Sequence, residues 1–247
     1  MYLQHNILNM KEDKSTIKNF GYGYLAGMMG IVVSHPIDTL KTHYQQFNRL
    51  VFKNLYRGII PPIIGVGLEK AVVFGVYEST IKYTHSDIIS GGLSGLCASI
   101  VVTPFERLKI LLQTGQNLNG FKNINLFQGL SATLTRETPG FAIYFYVYNK
   151  LKHNNQDIID IHPIKSFGYG ALAGTAAWTF IYPQDRIKTH IQAARDKKIG
   201  FFEAFAYIRK TEGITSFYRG FHLALCRAIP LHATAFTTVE LCKKYLD

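Results

Sequence analysis

One pattern is written three times in this chain, and no spacing slips inside any copy: G-x3-G, eight residues, then P-x-[D/E]-x-x-K-x-x-x-Q. The first copy is Gly23, Gly27, Pro36, Asp38, Lys41 and Gln45. The second is Gly91, Gly95, Pro104, Glu106, Lys109 and Gln113, and the third is Gly170, Gly174, Pro183, Asp185, Lys188 and Gln192. Self-similarity at a long, fixed period makes the fold an array of one supersecondary unit. The boundaries read as a polar segment 1–16 and then units 17–84, 85–155 and 156–247, which close one structure.

Each unit reads as two helices that cross a membrane. The runs 19–37, 88–105 and 166–184 carry no charge and end at the motif Pro, and about 20 helical residues span a bilayer core. A second helix follows an aromatic-x-Gly signal: Tyr56-Arg57-Gly58, Phe127-Gln128-Gly129 and Tyr218-Arg219-Gly220. Twenty residues after each of these glycines comes a polar residue near the helix end: Glu78, Asn149 and Glu240. The fold class expected is therefore all-α integral membrane, six transmembrane helices in three tandem two-helix repeats with threefold pseudosymmetry. From motif Pro to following Gly the loops span 22, 25 and 37 residues, so only the third has room for a full amphipathic helix, at 201–210.

The motif carries charge where a membrane helix should avoid it. Small residues four apart let helices approach closely, and a proline inside a helix removes one hydrogen bond and kinks the chain. Ionisable groups at membrane depth are costly unless paired or lining water. Three acids and three lysines at matching depths can form a ring of ion pairs, with each glutamine one turn further on as a brace. A mean hydropathy of only +0.05 suits helices whose inner faces are polar.

The remaining composition narrows the function. Net charge is +11, from 27 basic and 16 acidic residues, which fits anionic lipid or an anionic substrate as well as nucleic acid; six apolar spans exclude the last. Cys97, Cys226 and Cys242 have no metal or redox spacing and read as packing residues. No nucleophile–base pair, metal cluster or phosphate loop stands out, so neither an enzyme nor a metal or other cofactor is expected. The first sixteen residues are polar and lack the apolar stretch of a signal peptide.

The tripled motif resembles the mitochondrial carrier family, and the resemblance runs over nearly the whole chain. It implies one central substrate site between two rings that open alternately, in a monomer of the mitochondrial inner membrane with membrane lipid, cardiolipin among it, as partner. The matrix ring would be Asp38 to Lys109, Glu106 to Lys188 and Asp185 to Lys41, braced by Gln45, Gln113 and Gln192. The cytoplasmic ring of the family has an acid with a base three residues on. Here Glu240 and Lys243 fit; Asn149 replaces the acid before Lys152; Glu78 is followed by Ile81 where a base belongs. The outer gate is expected to be weak and the resting state open on the cytoplasmic side.

Counting back along the second helices in the family's pattern places the substrate at Gly65 and Val66, Arg136 and Glu137, and Arg227, with Glu69 one turn after Gly65. Arg136 to Pro139 and Arg227 to Pro230 share R-x-x-P. Adjacent Arg and Glu look like carriers of amino acids and related zwitterions, and Trp178, five residues before Pro183, resembles the ornithine and acylcarnitine carriers. The function expected is alternating-access exchange of an amino acid, acylcarnitine or S-adenosylmethionine. The rival is nucleotide or deoxynucleotide exchange, favoured by Arg136, Arg227, Lys70 and the net charge.

Overall fold

The computed structural model describes residues 2–116, 124–153, 163–194 and 199–246, without the side chains of 2–20, 152–153, 163–168, 170–171 and of Phe236, Val239, Glu240, Lys243 and Leu246. All regular structure among the described residues is helical: α1 (Tyr2–Phe47), α2 (Ile60–Thr84), α3 (Asp87–Gln113), α4 (Leu130–His153), α5 (Pro163–Ala193), α6 (Phe201–Glu212) and α7 (Phe221–Leu246), with a 3-10 turn at Ile214–Tyr218 before α7.

Local chemistry sets the boundaries. Pro61 and Pro62 open α2, in the first turn where a missing N–H costs nothing. His85 ends α2 in the left-handed region at φ 50°. Ser86 caps α3 by accepting from the Ile89 N–H, and Asp87 places a negative charge in its first turn. The helices run through Pro36, Pro104 and Pro183 instead of stopping there, so acid, lysine and glutamine all lie on continuous helix. Residues 2–16 likewise continue α1, a helix of 46 residues. At about 1.5 Å per residue it is about 69 Å long, well beyond a hydrocarbon core of about 30 Å.

The aromatic-x-Gly signal has a backbone cause. Gly58, Gly129 and Gly220 have φ of 82°, 90° and 82°, a region that favours glycine. Each also sits on the motif glutamine of the following repeat: a Cβ would come 3.4 Å from Gln113 Cγ, 2.8 Å from Gln192 Cγ and 3.6 Å from Gln45 Cγ respectively.

Across the junctions between repeats, α2 packs along α3, α4 along α5, and α7 along α1. Within repeats the packing is uneven. α3 and α4 lie close, α1 and α2 meet over a shorter stretch, and α5 scarcely touches α7 among the described residues. The expectation that all three G-x3-G ridges are helix interfaces is corrected accordingly. A Cβ on Gly91 would come 2.7 Å from the Phe141 carbonyl and one on Gly95 would overlap the Glu137 carbonyl, whereas Gly23 and Gly174 face open space. Among the described residues no atom lies within 4 Å of a Cβ at Gly23 or Gly174, whereas Gly27 meets Val66 of α2.

Burial is inverted relative to a water-soluble bundle. Leu25, Met29 and Val33 are exposed along α1 while Ser34, His35, Asp38, Thr42 and Gln45 are buried. On α5, Leu172 and Phe180 are exposed and Asp185, Arg186, Lys188 and Gln192 are buried. Among the described residues two helices, α2 and α3, are long and apolar enough to cross a membrane, with mean hydropathies of 1.4 and 1.7 over their most apolar windows. The α6 helix packs Ala204 and Ile208 against Ile187, Ile191, Ala132 and Phe217.

Candidate functional site

The charged motif residues of α1, α3 and α5 meet at one end of the bundle. Asp38 pairs with Lys109, Glu106 pairs with Lys188, and Asp185 pairs with Lys41 at 2.5 Å. Each pair joins one repeat to the next, and the three close a ring. Charges withdrawn this far from solvent are tolerated because each has an opposite charge and further hydrogen bonds.

Two of the three glutamines brace the ring. Gln45 Nε2 donates to Asp185 Oδ2 at 3.2 Å and to Tyr182 Oη at 3.1 Å, and Gln45 accepts from Thr189 at 3.0 Å. Gln113 Nε2 donates to Asp38 Oδ2 at 3.2 Å and to Thr39 at 3.1 Å, and accepts from Thr42 at 2.9 Å. Gln192 departs from the expectation. Its amide donates to Thr133 Oγ1 at 3.3 Å, and its Oε1 is buried without a partner among the described residues. The acid of that pair is Glu106, one methylene longer than the aspartates, and its carboxylate reaches away from Gln192 to Arg136 at 2.8 Å. Gln192 is also the glutamine most tightly held against its glycine, Gly129.

Arg136 lies directly over the ring. Its Nη2 donates to Glu106 Oε1 at 2.8 Å and to Glu137 Oε1, and its Nη1 donates to Asp185 Oδ1 at 3.3 Å. Arg227 Nη1 stands 3.4 Å from Asp38 Oδ1. Every ring acid is thus shared between a lysine of the ring and an arginine from the second helix of a repeat. Arg136 Nε and Arg227 Nε are both buried with no hydrogen-bond partner among the described residues. Trp178 sits between cations, with Lys41 Nζ 5.0 Å and Arg227 Cζ 5.8 Å from its ring centroid. Five cations face four carboxylates here: Lys41, Lys109, Lys188, Arg136 and Arg227 against Asp38, Glu106, Glu137 and Asp185.

The other residues expected at the centre are placed differently. Gly65 lies under the Phe105 ring, where a Cβ would come 3.0 Å from Cγ, and Val66 packs across Gly27. Both therefore belong to contacts of α2 with its neighbours. Glu69 pairs with Lys70 at 3.3 Å, and Lys70 Nζ lies 5.7 Å from the Phe141 ring centroid.

At the opposite end, Glu78 is exposed, while the side chains of Lys152, Glu240 and Lys243 lie outside the described residues. Asn149 Nδ2 donates to Asp87 Oδ1 and to Tyr77 Oη, both at 2.7 Å, and Tyr77 Oη donates to Asp87 Oδ1 at 2.5 Å. Tyr77 stacks on Phe145 with centroids 3.9 Å apart.

Two buried guanidiniums escaped the sequence reading. Arg107 donates to the Gln192 carbonyl, to the Ala194 carbonyl at 2.7 Å and to Gln128 Oε1 at 3.1 Å, closing the end of α5. Arg186 donates to both oxygens of Glu212, at 3.1 and 3.0 Å, tying α6 to α5. The signal was present, because both directly follow the motif acid, where repeat 1 has Thr39.

A helical bundle with an apolar exterior, a buried ring of ion pairs and arginines standing over that ring belongs to the class of membrane solute carriers. Residues 82–124 and 160–247 match the family described as mitochondrial carrier protein. The chain is 30% identical to the mitochondrial magnesium exporter 1 of Drosophila melanogaster, over 97% of this chain and 98% of that one. It is 30% identical to a mitochondrial glycine transporter of Saccharomyces cerevisiae, over 95% and 93%. It is 28% identical to the human mitochondrial carnitine/acylcarnitine carrier protein, over 94% and 95%. This protein is a member of the mitochondrial carrier family, a multi-pass protein of the mitochondrial inner membrane.

Proposed function

We propose that the protein exchanges a small charged metabolite by alternating access across six membrane-spanning helices, and that the cargo is amino-acid-like or otherwise zwitterionic. The inverted burial of α1 and α5 supports spanning by helices whose mean hydropathy is low. The observation that carries the mechanism is the sharing of each ring acid between a lysine and an arginine.

In this reading the motif end faces the matrix, and Asp38, Glu106 and Asp185 hold Arg136 and Arg227 while the site is empty. A substrate carboxylate competes for those guanidiniums, the groups best suited to bidentate contact with it. As they turn to the substrate, the ring acids lose one of their two cations and the ring weakens. Glu137, released from Arg136, is then available to a substrate ammonium. Binding is in this way linked to opening, because the same arginines serve both. Trp178 has cations near its ring already, which argues against its serving as a cage for a quaternary ammonium.

Exchange of nucleotides or deoxynucleotides is the second reading. It is favoured by the unpartnered Nε atoms of Arg136 and Arg227 and by the exposed Lys70. One experiment separates the two. Liposomes preloaded with amino acids, carnitine esters, S-adenosylmethionine, nucleotides or deoxynucleotides are tested for saturable uptake. Exchange of an amino acid or another zwitterion, lost in Arg136→Ala, supports the first reading; exchange confined to nucleotides replaces it with the second. Absence of exchange with every compound overturns the transport mechanism.

A further inference from the structure

We infer that Asp87 carries the negative charge that the cytoplasmic ring lacks at Asn149, and that Asn149 and Tyr77 are the positioning residues that hold it there. The inference rests on the alternating-access reading and adds a residue that the repeat pattern does not contain. In sequence, Tyr77-Glu78 and Tyr148-Asn149 are equivalent pairs, so position 149 is where an acid belongs. In the structure the amide at that position donates directly to a carboxylate, Asp87 Oδ1, at 2.7 Å. The charge has not been lost from this end of the bundle. It stands one hydrogen bond away, on the first turn of α3 instead of the last turns of α4.

The identity of residue 149 follows from this placement. An aspartate there would set two acceptor-only carboxylates at hydrogen-bond distance, where like charges oppose ionisation of both. Asparagine has nearly the same shape and supplies the donor that the site requires. The helix N-terminus alone accounts for an acid at residue 87. It does not account for the donors that reach it from α2 and α4, Tyr77 at 2.5 Å and Asn149 at 2.7 Å. The hydroxyl of Tyr77 is fixed in turn, since its ring stacks on Phe145 within the cluster of Val73, Ala98 and Phe145. Both hydrogen bonds fall on Oδ1, and Oδ2 takes none among the described residues, which leaves it for a base. By the order of the repeats the family pattern puts that base at position 243, whose side chain lies outside the described residues.

A charge swap tests the proposal. Wild type, Asp87→Asn, Asn149→Asp and the double variant are reconstituted, and exchange of the cargo found in the liposome panel is measured. In parallel, in a background with the native cysteines replaced by serine, a reporter cysteine at Ile81 is labelled from the cytoplasmic side. Each single variant is expected to lower exchange about tenfold, a change of about 1.4 kcal/mol, with Asp87→Asn also raising labelling. The double variant, which returns the acid to the motif position, is expected to recover exchange to within about threefold of wild type and to restore labelling. A double variant as impaired as Asp87→Asn in both readouts overturns the proposal, as does an Asp87→Asn that behaves as wild type. If wild type exchanges nothing, the transport mechanism fails on its own, and the labelling pattern still decides for or against Asp87.

Discussion

The two ends of the bundle are held together by different contacts. At the motif end, three acids, three lysines and two arginines form a closed set of ion pairs, each between different helices. At the other end, the described contacts are hydrogen bonds among Tyr77, Asp87 and Asn149, backed by stacked aromatic rings. The first arrangement repeats with the chain; the second, among the described residues, lies where α2 and α4 meet the start of α3. A ring of many charges is costly to break and needs a ligand able to replace its partners, whereas a single clasp of hydrogen bonds opens with much less. In the proposed cycle, with the motif end taken to face the matrix, the larger barrier lies at that end, and substrate binding acts there.

The sharpest way to break this contrast is Arg136→Leu. It leaves Glu106, Glu137 and Asp185 without a common cation, and stranding a buried charge costs about 3–5 kcal/mol. Thermal unfolding in detergent should drop by that order, and exchange should fall to background. A protein of unchanged stability would mean that Arg136 is not the keystone of the matrix end. Next comes Lys41→Met. Asp185 keeps Arg136 and Gln45, so the expected loss is smaller, about 2 kcal/mol, the scale of one charged hydrogen bond. The measurement is again thermal unfolding, and a loss exceeding that of Arg136→Leu would reverse the ranking.

Inside the matrix ring the braces make a finer test. Gln113→Ala removes a donor to Asp38 and should cost about 1.5 kcal/mol. The same change at Gln192 touches no ring carboxylate, so it should leave matrix-side cysteine accessibility as in wild type. Equal effects of the two substitutions on that accessibility would remove the distinction drawn between braced and unbraced pairs. The smallest effect is expected at the other end, from Tyr77→Phe. The ring keeps its place on Phe145, and the hydroxyl's hydrogen bonds to Asp87 and from Asn149 are lost at a half-buried site, worth about 1 kcal/mol. A milder defect than that of Asp87→Asn is expected in exchange assays; an equal one would put the weight of the clasp on the hydroxyl.

Much of this was legible in the chain itself. Residue spacing of 3.6 per turn places acid, lysine and glutamine on one helix face, so three copies at fixed spacing imply a common depth. The long helices and the short α6 of repeat 3 follow from charge-free runs and loop lengths. Other features were not legible because they depend on side chains from helices far apart in sequence. Nothing local says that Arg136 takes Glu106 and Asp185 as counterions, that Gly65 lies beneath Phe105, or that Gly174 faces open space. Asn149 read as a broken position because the residue that compensates for it, Asp87, lies 62 positions away.

The sequence by itself therefore determined long helices with polar inner faces, each carrying its acid, lysine and glutamine on continuous helix, because helical periodicity and the cost of charge in a membrane act on the chain locally. The tertiary structure alone decided which charges share partners. Reach and orientation between helices made Glu106 turn toward Arg136 and away from Gln192, and brought an acid from α3 to the place where α4 has none.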